Sequence, residues 1–497
     1  MDVRSLTRSP KKQKISEEND VDGEDENGIG RLTDPLLVYI LSFLPTKDAV
    51  RTSILSKRWE CLWMSVPDLY FKEDPLPSRN FEDEVLERAR EKRVGFMDFV
   101  ERVLLLHDLP TIESFSLTVT VIHEWGRISA WVSAAVRRKV QVLELTLKRV
   151  GDSFVLPSCI FTCESLEGLT LNVPTYFEFP HSTRFSNLKI LTLAHVTFPD
   201  DDTLKQIFVV CPVLEELSLI CCNFEHVKAV CINGPKLRRL TIVEDDSLCP
   251  DDAKDDDNDN PDEGNEKNFN VCQFTIFGAR LVHFLYIGDF FHHYCFYDSS
   301  SMADAYVFVE RGHRKTAYRA FRLLIGLSES KSLFLTDKIF EGLSLYAREL
   351  LDNLPEFYNL NHIGSYWTLL FTYRQTFLAM LQRFPRLKSL KLNGASFRFG
   401  YDGRNDWALD PVPACFCTHL KIIGIARFWA SEHELYTVGV LLLNATVLEK
   451  LVISFNPQEF DGEEDLRKRQ EVCERIMSFP KASRNCVVVT YFPSTDQ

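Results

Sequence analysis

The sequence predicts an α/β chain: a short unit of three helices, then a long stack of strand-and-return repeats ended by a distinct module. Three observations carry this. A six-residue word with apolar residues at its first, fourth and sixth positions recurs along the chain. The stretch 29–71 carries apolar residues at helical intervals. The acidic charge is confined to two short runs, which leaves the body nearly neutral.

The word reads VLELTL at 142–147, LEGLTL at 166–171, LKILTL at 188–193, LEELSL at 214–219 and LRRLTI at 237–242. It returns as VHFLYI at 282–287, LKSLKL at 387–392, LKIIGI at 420–425 and LEKLVI at 448–453. Weaker versions begin at Ile112, Ala303, Ser330 and Leu360. Successive starts lie 21 to 33 residues apart, except for one step of 45. Self-similarity at such a period predicts a solenoid, because one repeat cannot bury its apolar face alone and stacked neighbours can. The last apolar residues of each word alternate with polar ones, as a strand with one buried face requires. Phe198, Phe224 and Phe397 each follow their word by five residues, where an aromatic fills the interior as the chain turns away.

Counting along the words puts Thr146, Thr170, Thr192, Ser218 and Thr241 on the outer face, then Phe284, Tyr286, Phe334 and Lys391. The threonine run suits an ordinary solvated β face. The exposed aromatics are the stronger candidates for contact with a partner.

At 497 residues the chain exceeds a single core, so two or three units are expected. Its net charge is −14. Glu17–Glu26 contributes −7, 244–267 contributes −10 and the first sixteen residues contribute +4, which leaves about −1 elsewhere. No global field favours nucleic acid, and no Lys/Arg stripe is interleaved with aromatics. Residues 1–28 are polar and charged, which predicts a disordered tail. The lack of an apolar signal core or a spanning-length apolar run points to the nucleus or cytoplasm. Lys11, Lys12 and Lys14 form a candidate import cluster.

Fourteen cysteines without a C-x-x-C pair read as reduced thiols, most of them in apolar surroundings. Cys415, Cys417 and His419, with His292, His293 and Cys295, come nearest to a metal set but lack a recognisable ligand spacing. The run DDAKDDDNDNPDEG lacks the ordered spacing of a calcium loop and reads as a solvated insert. His107, His123, His195 and His283 stand singly, and no nucleophile elbow, zinc helix or phosphate-binding glycine turn is present. No catalytic residue, cofactor or metal ion is expected.

The stretch 29–71 reads IGRLTDPLLVYILSFLPTKDAVRTSILSKRWECLWMSVPDLYF. Thr33 or Asp34 can cap a helix, and Pro35 suits its first turn. Leu36, Leu37, Ile40, Leu41 and Leu44 recur at helical spacing until Pro45, and Thr46 can cap a second helix. Leu55, Trp59, Leu62 and Trp63 supply a third turn. So small a unit cannot bury all these groups within itself, and leftover apolar surface marks a partner site.

The words LSFLPTKDAV, TSILSKRW and LW, in that order, resemble the plant form of the F-box, which docks on a Skp-family adaptor. Thr33 departs from it by standing where the family usually has Pro, and Pro35 by standing where it usually has an acidic residue. The repeats resemble the degenerate leucine-rich repeats of plant F-box proteins. Val196, Cys222 and Ala395 replace the Asn expected after the strand. The words ELYTVGVLLLNATVLEKLVI and FPKASRNC resemble the FBD module that ends many of those proteins.

The resemblance implies an α/β chain with a short N-terminal three-helix F-box and an irregular leucine-rich-repeat solenoid capped by a C-terminal FBD module. The boundaries read as a tail at 1–28, the F-box at 29–71 and a helical linker at 72–105. The solenoid follows at 106–410 with a disordered acidic insert at 244–267, and the FBD module at 411–492. The implied role is the substrate-recognition subunit of a Skp–cullin–F-box ubiquitin ligase, itself non-catalytic. Its partners would be a Skp-family adaptor, through it the cullin and RING subunits, and a protein substrate. For adaptor contact the candidates are Leu32, Leu36, Leu37, Ile40 and Leu41, then Leu44, Pro45, Leu55, Trp59 and Trp63. Two other readings use the same scaffold: an interaction protein whose F-box is weakened at Thr33, and a receptor gated by a small molecule.

Overall fold

A computed structural model describes residues 29–74, 83–120, 124–150, 154–244, 271–311, 314–365, 374–393, 409–457 and 465–492. The tail 1–28, nearly all of the acidic insert, His123 and Phe397 lie outside the described residues. The chain divides into two compact units, Met1–Val66 with His107–Leu109, and Pro67–Leu106 with Pro110–Gln497.

In the first unit, α1 (Asp34–Ser42) starts where expected, with Pro in its first turn. Thr33 is the N-cap residue in extended conformation, yet its side chain makes no capping bond. Its carbonyl instead accepts from the Leu36 and Leu37 amides, each at 3.0 Å. Arg58 pins the same end, its Nε donating to Asp34 Oδ1 at 2.8 Å and its guanidinium also reaching the Leu32 carbonyl. Pro45, not Thr46, caps α2 (Thr46–Arg51), and Thr46 is buried. The expected third helix is only a 3₁₀ turn, Leu62–Ser65. Leu37, Leu41, Ala49, Leu62 and Trp63 form the interior. His107 Nε2 lies 2.8 Å from the Val66 carbonyl, which ties 107–109 to this unit.

The second unit is built on one parallel sheet. Its strands begin with β1 (Asp68–Lys72), β2 (Ser114–Val119), β3 (Val142–Leu147), β4 (Gly168–Asn172), β5 (Ile190–Ala194) and β6 (Glu216–Ile220). Then come β7 (Ala229–Ile232), β8 (Arg239–Val243), β9 (Gln273–Phe277), β10 (His283–Ile287), β11 (His293–Tyr297) and β12 (Asp304–Phe308). The last are β13 (Ser332–Leu335), β14 (His362–Ser365), β15 (Ser389–Asn393), β16 (Ile422–Phe428), β17 (Lys450–Phe455) and β18 (Val487–Tyr491). Fifteen of these stack in chain order, while β11, β9 and β7 form a second, three-stranded sheet. Helices α3 (Asp83–Leu106), α4 (Trp125–Arg137), α5 (Asp201–Val210), α6 (Arg314–Gly326), α7 (Asp337–Tyr346) and α8 (Arg374–Gln382) lie in the returns. So do α9 (Ala414–Thr418), α10 (Glu432–Asn444) and α11 (Asp465–Ser478).

Every repeat word, including the four weaker ones, is a strand of the main sheet. The words from LEGLTL to LRRLTI align letter for letter and VLELTL joins them two letters out of step, so Leu143, Leu169, Leu191, Leu217 and Leu240 form one inward row, all but fully buried. Each such leucine contributes roughly 1.5–3 kcal/mol of burial. Sequence reasoning missed β7, β9 and β11, although VKAVCI at 227–232, VCQFTI at 271–276 and FHHYCF at 291–296 carry the same apolar spacing. It also placed 68–71 in the docking unit, where the structure has most of strand β1.

The expected aromatic filling is present. Phe198 and Phe224 are buried and stack at 5.2 Å, and the row continues through Phe274 at 5.1 Å and Tyr294 at a further 4.8 Å. The missing Asn positions at Val196 and Cys222 are covered in two ways, and Ala395 lies outside the described residues. Backbone bridges link 176, 197 and 223, with the Phe177 amide donating to Thr197 O and the Phe198 amide to Asn223 O. The buried Cys222 thiol donates to the Leu193 carbonyl of the preceding unit at 3.2 Å. α10 carries a full capping box, in which Ser431 and Glu434 satisfy each other's backbone amides.

Candidate interaction surfaces

Helix α1 is apolar nearly all round its circumference. Leu37 and Leu41, four residues apart, point inward. Leu36, Tyr39, Ile40 and Phe43 stay outside, with Tyr39 63% and Phe43 70% exposed. A helix apolar on every side is stable in water only when something covers it. Ile54 and Leu55 of the same unit are exposed as well, at 87% and 64%. Tyr39 and Phe43 pack edge to face at 4.9 Å.

Of the ten candidates for adaptor contact, Leu36, Ile40, Leu44, Pro45 and Leu55 are exposed, and Leu32 and Trp59 are half-buried. Leu37, Leu41 and Trp63 are corrected to the unit's own interior, at 0%, 1% and 5% exposure. Tyr39, Phe43 and Ile54 were missed. The signal was there: an i, i+4 pair on the face opposite Leu37 and Leu41.

On the outer face of the main sheet, Phe334 is half-buried and Lys391 exposed, as expected. Phe284 and Tyr286 are not there; both are fully buried. A word started at Val282 puts both outside, whereas the register pairs Phe284 with Leu240 and Tyr286 with Ile242. Starting at Leu281 restores the pattern, and a slip of one residue moves every side chain to the other face. The outer residues of β10 are therefore His283, Leu285 and Ile287. Thr170, Thr192, Ser218 and Thr241 do form one row, but Thr146 lies in the next, opposite Asn172.

Tyr286 belongs to an interior cluster around Glu244, the first residue of the acidic insert. Glu244 Oε2 accepts from the Tyr286 hydroxyl at 2.7 Å and the Phe291 amide at 2.9 Å. Its Oε1 accepts from the Tyr294 hydroxyl at 2.8 Å and the His292 amide at 3.3 Å. Enclosure pushes the carboxyl above the usual carboxylate range, against the pull of these four donors. Gly288 makes the approach possible, since its φ is +149° and a Cβ there would meet the Glu244 side chain at 2.7 Å. Burial, with Arg319 nearby, lowers the His292 imidazole to about 4, and its Nδ1 accepts from the Cys272 amide at 3.2 Å.

Cys415 is buried, and burial pushes its thiol to about 12. Cys417 and His419 face solvent. Among the described residues no three His, Cys, Asp or Glu converge as a metal site, and no helix is long and apolar enough to cross a membrane.

The F-box family profile matches residues 29–70. A profile described as FBD-associated F-box protein At5g56370, LRR repeats, matches 128–253. This chain carries an F-box followed by leucine-rich repeats of the FBD-associated type. It is similar to the F-box/FBD/LRR-repeat protein At3g52680 of Arabidopsis thaliana, 28% identical over 476 residues that span 93% of either chain. F-box/FBD/LRR-repeat protein At4g00160 of the same plant is 28% identical over 484 residues, 94% of this chain and 95% of that one. The putative FBD-associated F-box protein At5g56410, also from Arabidopsis thaliana, is 39% identical over 196 residues, 37% of this chain and 38% of its own. The exposed apolar surface of α1 thus lies within the F-box, and the main sheet contains the leucine-rich repeats.

Proposed function

We propose that this chain is the substrate-recognition subunit of a Skp–cullin–F-box ubiquitin ligase and is itself non-catalytic. The F-box docks a Skp-family adaptor through Leu36, Tyr39, Ile40 and Phe43, with Leu44 and Leu55 beside them. The carrying observation is that α1 leaves these residues in water while Leu37 and Leu41 fill the unit's interior. The outer face of the repeats holds a protein substrate near the ubiquitin-charged enzyme, so the chain contributes effective concentration rather than bond chemistry. Residues 411–492 act as the FBD module, and the chain works in the nucleus or cytoplasm.

The test is capture of a recombinant Skp adaptor by the full chain. Wild type retains the adaptor, and an Ile40→Asp, Phe43→Asp double variant loses it while keeping its thermal midpoint. If wild type retains no adaptor, the ligase reading fails, and the chain is an interaction protein whose F-box is weakened at Thr33. That second reading draws on Thr33, which stands exposed at the start of α1.

A further inference from the structure

The outer face changes character along the sheet. From β4 to β8 its middle row is Thr170, Thr192, Ser218 and Thr241. At β10 the row turns apolar, with Leu285 opposite Tyr306 and Tyr306 opposite Phe334. The Tyr306 and Phe334 rings lie parallel, centroids 4.6 Å apart and planes 5° apart. Phe334 leans over Gly364 on the next strand, where a Cβ would meet its ring at 2.4 Å. The absence of a side chain at Gly364 is what lets the aromatic lie flat. Next in the row is Lys391.

The charge changes with it. Asp304, on β12, is engaged by His283 Nδ1 at 3.1 Å. From β13 to β18 the described outer side chains include His362, Lys391 and Lys450, all exposed, and no Asp or Glu. Lys391 has no ion-pair partner among the described residues. In a body that is nearly neutral outside its two acidic runs, an apolar platform continuing into a cationic strip is a local excess of positive charge. Such a strip complements a carboxylate-bearing segment.

We propose that this strip selects the substrate: an extended, acidic peptide segment with one aromatic or branched apolar residue. The apolar residue sits against Leu285, Tyr306 and Phe334, and carboxylates meet Lys391 and then Lys450. Phe334 and Lys391 are two strands apart, about 10 Å, and an extended peptide covers that in about three residues. Lys450 is two strands further and two residues along, in the outer row of Ser389 and Ile422, so a second acid falls about three to four residues beyond the first. The proposal rests on the reading of the repeats as the substrate-holding surface and names the class of substrate.

The test uses the full chain and fluorescently labelled short peptides, each with one Phe and two Glu at varied offsets in a Gly/Ser background, with Lys-for-Glu controls. Wild type prefers the Glu peptides at the offset above. Lys391→Glu weakens them about fivefold, the size of one exposed charge contact, and abolishes their advantage over the Lys peptides, since Lys450 remains. Phe334→Ala weakens both sets. Equal binding of Glu and Lys peptides by wild type overturns the proposal. So does self-association lost on Phe334→Ala, which assigns the strip to a second copy. Binding that requires deletion of 251–263 assigns the strip to the chain's own acidic run and overturns it too. Adaptor capture is measured separately on the same preparations, so failure of peptide selection leaves the ligase reading standing, and the converse.

Discussion

The Tyr286 hydroxyl donates to Glu244 Oε2 across 2.7 Å and accepts from the Phe290 amide at 2.6 Å, so one side chain links the end of β8 to the turn after β10. Glu244 thereby fastens the sheet at the point where the acidic insert leaves it. Replacing it by Gln sets an NH₂ against a backbone N–H that has no other acceptor in the cluster. Glu244→Gln is expected to cost about 1–3 kcal/mol, read as a lower urea midpoint at unchanged slope.

His292 gives the fold an acid-sensitive window. Burial and the neighbouring Arg319 and His293 hold its imidazole at about 4, below its ordinary value. The unfolded chain therefore binds the proton first as pH falls. The stabilisation is present above about 6.5 and is lost progressively on acidification toward 4, by roughly 3 kcal/mol at most. His292→Asn keeps an acceptor for the Cys272 amide and removes the titration. Its urea midpoint should change less than that of wild type between pH 7 and pH 5.

Phe198 is fully buried between Phe177, at 6.2 Å, and Phe224, at 5.2 Å. Phe198→Ala leaves a cavity in a continuous aromatic row and should cost about 3–5 kcal/mol. Phe198→Leu, which keeps most of the volume, should cost clearly less in the same denaturation experiment.

In the F-box, inward and outward positions of α1 should respond oppositely. Leu41→Ala should destabilise the unit by about 2–5 kcal/mol. Leu36→Ala, at a residue 50% exposed, should change stability by no more than about 0.5 kcal/mol while weakening adaptor binding. Calorimetry gives the first quantity and adaptor titration the second.

Burial holds the thiols of Cys211, Cys222 and Cys415 at about 12. At pH 8 only about one in ten thousand of such groups is thiolate. Iodoacetamide should therefore label the exposed Cys61 and Cys417 in the native protein and these three only after denaturation, as read by peptide mass spectrometry.

The repeat words were legible because burying one face of a strand forces a period of two, and stacking forces that pattern to recur. Leu169, Leu191, Leu217 and Leu240, each the fourth letter of its word, could be placed on one inward row from their letters alone, whereas Leu143, the second letter of VLELTL, joins them only through its pairing with Leu169. At β10 the same reasoning slipped, because Leu281 and Val282 are both apolar and either can start a word. Only pairing with Leu240 and Ile242 chose between them, and it sent Phe284 and Tyr286 inward. The strands β7, β9 and β11 carry the same apolar spacing, and only their pairing shows that they form a second sheet.

The sequence by itself determined the order of parts, an F-box with surplus apolar surface and then a long repeat array, because local apolar spacing sets helix and strand. Tertiary structure decided which surplus residues remain outside. Leu37 and Leu36 are chemically alike and adjacent, yet one is 0% and the other 50% exposed. The same holds on the sheet, where Phe334 lies flat only because Gly364, thirty residues on in the chain, leaves it room. Proximity of that kind is set by the stacking of repeats and is written in no single stretch of the chain.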